Sequence, residues 1–149
     1  METEFIKSIN YKEFTDIATE AKEELIISMP GLHDELCEVI IACKDNLNNI
    51  NVIIDNSEDN YRNGFGEIKG ISKMKQKGIN IFNIKGNYVS FIIADKIGYY
   101  LFPQSRIFTD EKKTGLNAVV INPINVILLK KYFFNKNRGD EDAFNEELY

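Results

Sequence analysis

Tyr88-Val89-Ser90-Phe91-Ile92-Ile93-Ala94-Asp95, then Lys96-Ile97-Gly98, then Tyr99-Tyr100-Leu101-Phe102, reads as two β-rich runs joined by a short polar turn. β-branched and aromatic side chains suit a pleated surface, and the Asp/Lys/Gly interruption marks a reversal, so the spacing predicts a hairpin turning near Lys96-Ile97-Gly98. The chain before it follows another rule. Short apolar runs there alternate with stretches of helical period, the pattern of strands inside a largely parallel sheet.

Phe5, Ile6 and Ile9 lie in a short strand-like start, and Asn10 with Glu13 three residues later gives a capping-box pattern. Phe14, Ile17, Ala18, Ala21 and Leu25 recur at helical spacing after it, and Leu25 to Met29 follows as a buried strand stopped by Pro30-Gly31. A second helix spans about Leu32 to Asn46, with Leu36, Val39, Ile40 and Cys43 inward, and Ile50 to Asp55 is the next strand. Asn56 to Gly66 reads as a polar loop, Glu67 to Lys77 as a lysine-rich helix capped by Gly78, and Ile79 to Ile84 as a strand. Beyond the hairpin, Ala118 to Ile121 supplies a strand, and Asn122-Pro123 opens a last helix lined by Ile127, Leu128, Tyr132 and Phe133. The implied fold is α/β, a mixed, largely parallel sheet flanked by helices on both faces. Residues 1–135 form one domain, and 136–149 an acidic tail or the start of a linker; its Arg138-Gly139-Asp140 tripeptide reads as chance.

A chain of 149 residues can bury roughly 70% of its unfolded surface, enough for a single core. No run approaches the ~20 apolar residues of a membrane span, and Met1-Glu2-Thr3-Glu4 is acidic and polar, unlike a signal peptide. Cys37 and Cys43 make no disulfide framework, so a reducing cytoplasm is expected. One histidine and two isolated cysteines do not compose a zinc site, no cofactor is implied, and chemistry needing two histidines in one chain is excluded. The net charge of −5 divides into −10 over residues 1–60, +6 over 61–113 and −1 over 114–149. The basic segment suits an anionic small molecule or an acidic partner, or else a solvated helix face, since Lys69, Lys73 and Lys77 recur at i, i+4, i+8. Nucleic acid is not favoured, because the whole domain is acidic.

The element order, with Glu24-Leu25-Ile26-Ile27-Ser28-Met29-Pro30 entering the first core strand and Tyr88 to Ser105 around the hairpin, resembles one repeat of the phospholipase D superfamily. Its active members carry His-x-Lys-x4-Asp and then Gly-Ser-x-Asn. The resemblance places Tyr88 at the histidine, Ser90 at the lysine, Asp95 at the aspartate and Ser105 at the asparagine. It implies that the family's phosphohistidine chemistry is lost. Tyrosine, with an ordinary pKa near ~10, replaces imidazole, and Ser90 brings no positive charge to a phosphorane.

The reading is a non-catalytic, ligand-binding module that pairs as a homodimer with the two Asp95 regions facing a shared cleft. It is similar in kind to the effector domain of TrmB-type regulators, and could be one domain of a larger regulatory or nucleic-acid-processing protein. Candidate ligand residues are Ser28, Asn63, Gly64, Tyr88, Ser90, Asp95, Ser105 and Arg106, expected together at the carboxyl ends of the central strands. Two of them have plainer readings: the Asn63-Gly64-Phe65-Gly66 glycines can serve a surface turn, and Asp95 can accept hydrogen bonds from the following turn. His33 is read as an exposed or capping-region side chain. The alternatives are a nucleic-acid-binding module using the 61–113 surface, and a divergent phosphodiesterase.

Overall fold

The structure, a computed structural model, describes residues 6–86, 89–102 and 116–133. Seven strands, β1 (Ile6–Ile9), β2 (Leu25–Ser28), β3 (Ile50–Ile54), β4 (Asn80–Asn83), β5 (Phe91–Ala94), β6 (Ile97–Phe102) and β7 (Leu116–Ile121), form one sheet in the order β1-β7-β6-β5-β2-β3-β4. β2 pairs in parallel with β3 and β3 with β4, whereas the ladders β1·β7, β7·β6, β6·β5 and β5·β2 are antiparallel. Five strands therefore run one way and only β5 and β7 run against them, but because those two are interleaved, antiparallel ladders outnumber parallel ones.

Side-chain alternation splits the sheet into two faces. Leu25, Ile27, Val52, Ile54, Ile92 and Leu101 enter the larger core with helices α1 (Tyr11–Glu20), α2 (Asp34–Cys43) and α4 (Ile68–Gln76). Ile26, Ile53, Phe91 and Ile93 enter the smaller one beneath α5 (Pro123–Lys131), where Phe133 packs on Phe91 at 5.4 Å between ring centroids. Helices cover both faces, as expected.

Local chemistry sets the helix starts. The Asn10 Oδ1 accepts from the Glu13 N–H at 2.9 Å, and the Asn122 Oδ1 from the Asn125 N–H at 2.8 Å with Pro123 following it. At Gly78 the backbone turns left-handed, φ +82°, to end α4.

Three expectations need correction. The 56–66 stretch is not all loop: Glu58–Arg62 forms a helical turn, α3. Ser57 caps it, and the buried Asn60 amide donates to the carbonyls of Pro30 and Asp55, tertiary bonds that a polar sequence does not advertise. The hairpin turns at Asp95-Lys96, with Ala94 paired to Ile97, so Ile97 and Gly98 already belong to β6. Asp95 takes φ +59°, a left-handed conformation that aspartate tolerates. Finally, the inward face of α5 is only partly the expected one. Phe133 is buried as expected, at 6% exposed, but its companion is Val126 at 2%, whereas Ile127 and Leu128 are 55% and 54% exposed and Tyr132 is 49% exposed. An outward Ile127, still 55% exposed, forgoes about half of the ~1.5–3 kcal/mol that full burial of such a side chain supplies.

α2 and α4 approach closely because Gly70 has no side chain, as a Cβ there would stand 2.7 Å from the Cys37 Sγ. Their first turns cap one another. The Glu67 carboxylate accepts from the Asp34 N–H at 3.2 Å, and the Asp34 Oδ1 accepts from the Gly70 N–H at 2.9 Å. Each carboxylate thus satisfies an orphan donor, and meets the positive dipole end, of the other helix. No described helix is long and apolar enough to cross a membrane.

Candidate functional site

Asp95 is the motif residue whose surroundings are most fully defined. The chain leaving α1 presents three successive N–H groups to its carboxylate: Lys22 at 3.2 and 3.0 Å to the two oxygens, Glu23 at 2.8 Å and Glu24 at 3.1 Å. Converging N–H groups of this kind form an anion nest, here filled by the protein's own side chain. Burial pushes the Asp95 carboxyl upward, but the hydrogen bonds from Glu23, Lys22 and Glu24, with Lys130 nearby, outweigh it and hold the pKa below the usual carboxylate value. Lys130 also donates to the Asp95 carbonyl at 3.0 Å and pairs with Glu24. The hydrogen bonds come from residues 22–24, not from the turn that follows Asp95.

This places Asp95 away from the other candidates. In the β2·β5 ladder Leu25 faces Ala94 at one end and Ser28 faces Phe91 at the other. Asp95, bonded to Glu24, is therefore about four residues, ~13 Å, from Ser28. The expected grouping of Asp95 with Ser28 and Ser90 does not form.

Ser28 and Ser90 do lie near one another. Both are buried where β2 ends and β5 begins, and the Ser28 hydroxyl donates to the Val89 carbonyl at 2.6 Å. The Ser90 Oγ is buried without a hydrogen-bond partner. On the other flank of Met29-Pro30 is Asp55, a residue the sequence reading passed over as the end of a strand. Its N–H donates to the Pro30 carbonyl, and its Oδ2 accepts from the Gly86 N–H at 3.0 Å. Its Oδ1 is buried with no hydrogen-bond partner. Polar neighbours brace this edge: the Asn83 Oδ1 accepts from the Asn56 N–H at 2.8 Å, and the Tyr61 hydroxyl donates to the Asn56 Oδ1. Burial, more than the Cys37 and Asp55 charges, pushes the Tyr61 hydroxyl pKa up, so it acts as a neutral donor.

Asn63 and Gly64 end α3, Asn63 exposed and Gly64 at φ +86°. The close backbone approach in this loop belongs to Gly66, where a Cβ would meet the Leu32 N at 2.6 Å; a Cβ on Gly31 would meet the Phe65 O at 2.1 Å. The glycines seat one loop on another, which needs no ligand. Tyr88, Ser105 and Arg106 lie outside the described residues. An open depression of about 600 Å³ is lined by Glu58, Tyr61, Arg62, Gly66, Glu67 and Ile68; of these only Gly66 lies in the loop that the sequence singled out.

His33 holds the N-cap position of α2, as a capping-region reading expects, but it is buried, with Nδ1 3.5 Å from the Glu67 Oε1. Both cysteines are free and buried, and the Cys37 thiol is pushed up to about 12 by burial and then by the nearby Asp34 and Glu67 carboxylates. Among the described residues no group of three or more His, Cys, Asp or Glu side chains could hold a metal ion.

Similar folds occur among solved structures. The fold is similar to that of Nuc, a phospholipase D family member from Salmonella typhimurium, with TM-score 0.59 and 16% identity over 85% of each chain. NucT from Helicobacter pylori gives 0.58 at 12% identity over 91% of this chain and 94% of that one. TrmBL2, an archaeal chromatin protein with a novel mode of DNA binding, gives 0.53 at 16% identity over 93% of this chain and 54% of its own. No protein-family model matches the chain, and a search of curated proteins returned no match. The fold is phospholipase D-like.

Proposed function

We propose that this chain is a non-catalytic, phospholipase D-like module that binds a small ligand at the carboxyl edge of β2 and β3 and pairs with a second copy of itself. The observation that carries the loss of catalysis is Ser90. It takes the place that the resemblance gives to the family's lysine, and it brings a neutral hydroxyl, buried and without a partner, to that place. Tyr88 in the histidine position removes the nucleophile as well. Asp95, its oxygens committed to the 22–24 nest, offers nothing to a shared cleft, so the dimer contact does not run through the Asp95 regions.

Asp55 sets the ligand's chemistry. A buried carboxylate oxygen without a donor favours a hydroxyl or amine and opposes a phosphate, so the ligand of this edge is donor-bearing, in place of the anionic molecule suggested by the charge distribution. Three measurements on the intact chain test the reading. Bis(p-nitrophenyl) phosphate should not be turned over. Light scattering at ~100 μM should give a dimer mass. Glucose, a neutral donor-rich probe, should raise the melting temperature more than inorganic phosphate does, and Asp55→Asn should abolish that difference. Turnover, a monomer mass, or a preference for phosphate would each remove the corresponding part.

A nucleic-acid module remains the second reading, favoured by the +6 segment and by the fold shared with TrmBL2. DNA affinity that falls steeply with salt would establish it over the first.

A further inference from the structure

Carboxylates elsewhere in the described chain are met by the protein itself. Asp95 accepts from the N–H groups of Lys22, Glu23 and Glu24, with Lys130 nearby, and Asp34 and Glu67 each accept from the first turn of the other's helix. Asp55 differs. It is 4% exposed, yet its carboxylate takes one hydrogen bond, from the Gly86 N–H to Oδ2, while Oδ1 has none. The buried amide of Asn60 donates to the Pro30 and Asp55 carbonyls and leaves the carboxylate alone. Among the described residues no ion pair includes Asp55, and Lys85, the neighbour of Gly86, is exposed. A neutral hydroxyl would supply the missing hydrogen bond but leave a buried negative charge uncompensated, whereas an ammonium group answers both needs.

We propose that Asp55 takes the ammonium group of a small primary amine. This rests on the ligand role proposed for the edge of β2 and β3, and narrows the ligand's donor from hydroxyl or amine to amine. The carboxylate is positioned in advance: the Asp55 N–H donates to the Pro30 carbonyl, and the Asp55 carbonyl accepts from Asn60 at 3.1 Å. A group held in this way costs little ordering when the ligand arrives. The approach is open beside Gly86, which is exposed and where a Cβ would meet nothing within 4 Å. Charge favours the same class. Residues 1–60, which contain Asp55, sum to −10, and the exposed Glu58 and Asp59 follow it at the start of α3.

The experiment compares ethanolamine with ethylene glycol, equal in heavy atoms and differing by an ammonium in place of a hydroxyl, at pH 7 with ionic strength held by KCl. The readout is the Gly86 amide resonance of the isotope-labelled full chain, because that N–H is bonded to Asp55. Ethanolamine should shift it saturably, with a Kd on the order of 10 mM, and ethylene glycol should leave it in place. Asp55→Asn keeps an oxygen for the Gly86 N–H and should weaken ethanolamine about tenfold or more. If that variant does not fold, the matched pair on the parent chain decides alone. An unmoved Gly86 resonance, an equal shift with ethylene glycol, or undiminished binding in Asp55→Asn would overturn the proposal. A response to glucose and ethylene glycol but not to ethanolamine would remove the amine and leave the donor-ligand reading standing; silence with all three would remove both.

Discussion

Substitutions at Asp95 separate the two things this residue does: it fills the N–H nest of residues 22–24, and it holds a left-handed turn. A hydrogen bond to a charged group is worth about 1.5–3 kcal/mol when buried, but the Lys22 and Glu23 N–H groups lie near solvent and can rehydrate, so the whole cluster is put at about 2 kcal/mol. The φ of +59° adds about 1 kcal/mol for a residue with an ordinary Cβ and nothing for glycine. Asp95→Ala should therefore lose about 3 kcal/mol, Asp95→Gly about 2, and Asp95→Asn, which keeps one acceptor and tolerates the turn, about 1. Urea denaturation reads this directly: with an m-value of about 2 kcal/mol/M, the alanine midpoint falls by about 1.5 M at unchanged slope. The pH dependence follows from a folded pKa below the usual 3.8. The carboxylate's contribution is complete above that value and is lost as pH falls through the folded pKa, so the parent chain and Asp95→Asn should converge in acid and differ by a constant amount at neutral pH. An alanine variant within ~0.5 kcal/mol of the parent, or a glycine variant less stable than alanine, would refute the structural role argued here.

Other outcomes follow from the packing. Gly31→Ala drives a Cβ to 2.1 Å from the Phe65 carbonyl oxygen, and should cost more than ~3 kcal/mol by thermal melting, enough to leave much of the chain unfolded at 37 °C. Gly70→Ala meets the more yielding Cys37 side chain and should cost about 1–3 kcal/mol. Ser90→Ala removes a buried hydroxyl that has no partner, so its chemical-denaturation midpoint should be unchanged or higher. Iodoacetamide at pH 8 should leave Cys37 unmodified in the folded protein and label it in urea, since its thiol is held at about 12.

What the sequence discloses here is the chemistry of near neighbours. The Asn10 cap, the Asn122-Pro123 helix start and the Gly78 stop are each settled within about four residues, so their patterns can be read without the fold. The apolar runs likewise announce β2, β3 and the hairpin strands. What stays hidden is decided by distant groups. Asp95 meets its partners 71 to 73 residues away, and α3 is held partly by the Asn60 amide reaching Pro30 across 30 residues. Position 66 has no room for a side chain because the Leu32 backbone lies against it. The inward face of α5 is misread for a different reason: with apolar residues on two sides, helical period alone does not say which side meets the sheet. Asp55 is missed because an aspartate ending a strand is ordinary until its burial and its unpartnered oxygen are seen.

The exchanged caps of α2 and α4 also bear on motion. Glu67 cannot leave the start of α2 without freeing the Asp34 N–H, and Asp34 cannot move without freeing the Gly70 N–H of α4. The opening turns of these two helices are consequently one cooperative unit, which breathes together or stays shut. Through Glu67, that unit reaches the rim of the depression beside Tyr61 and Arg62. A contact made at that rim is therefore felt at once in the first turns of both helices.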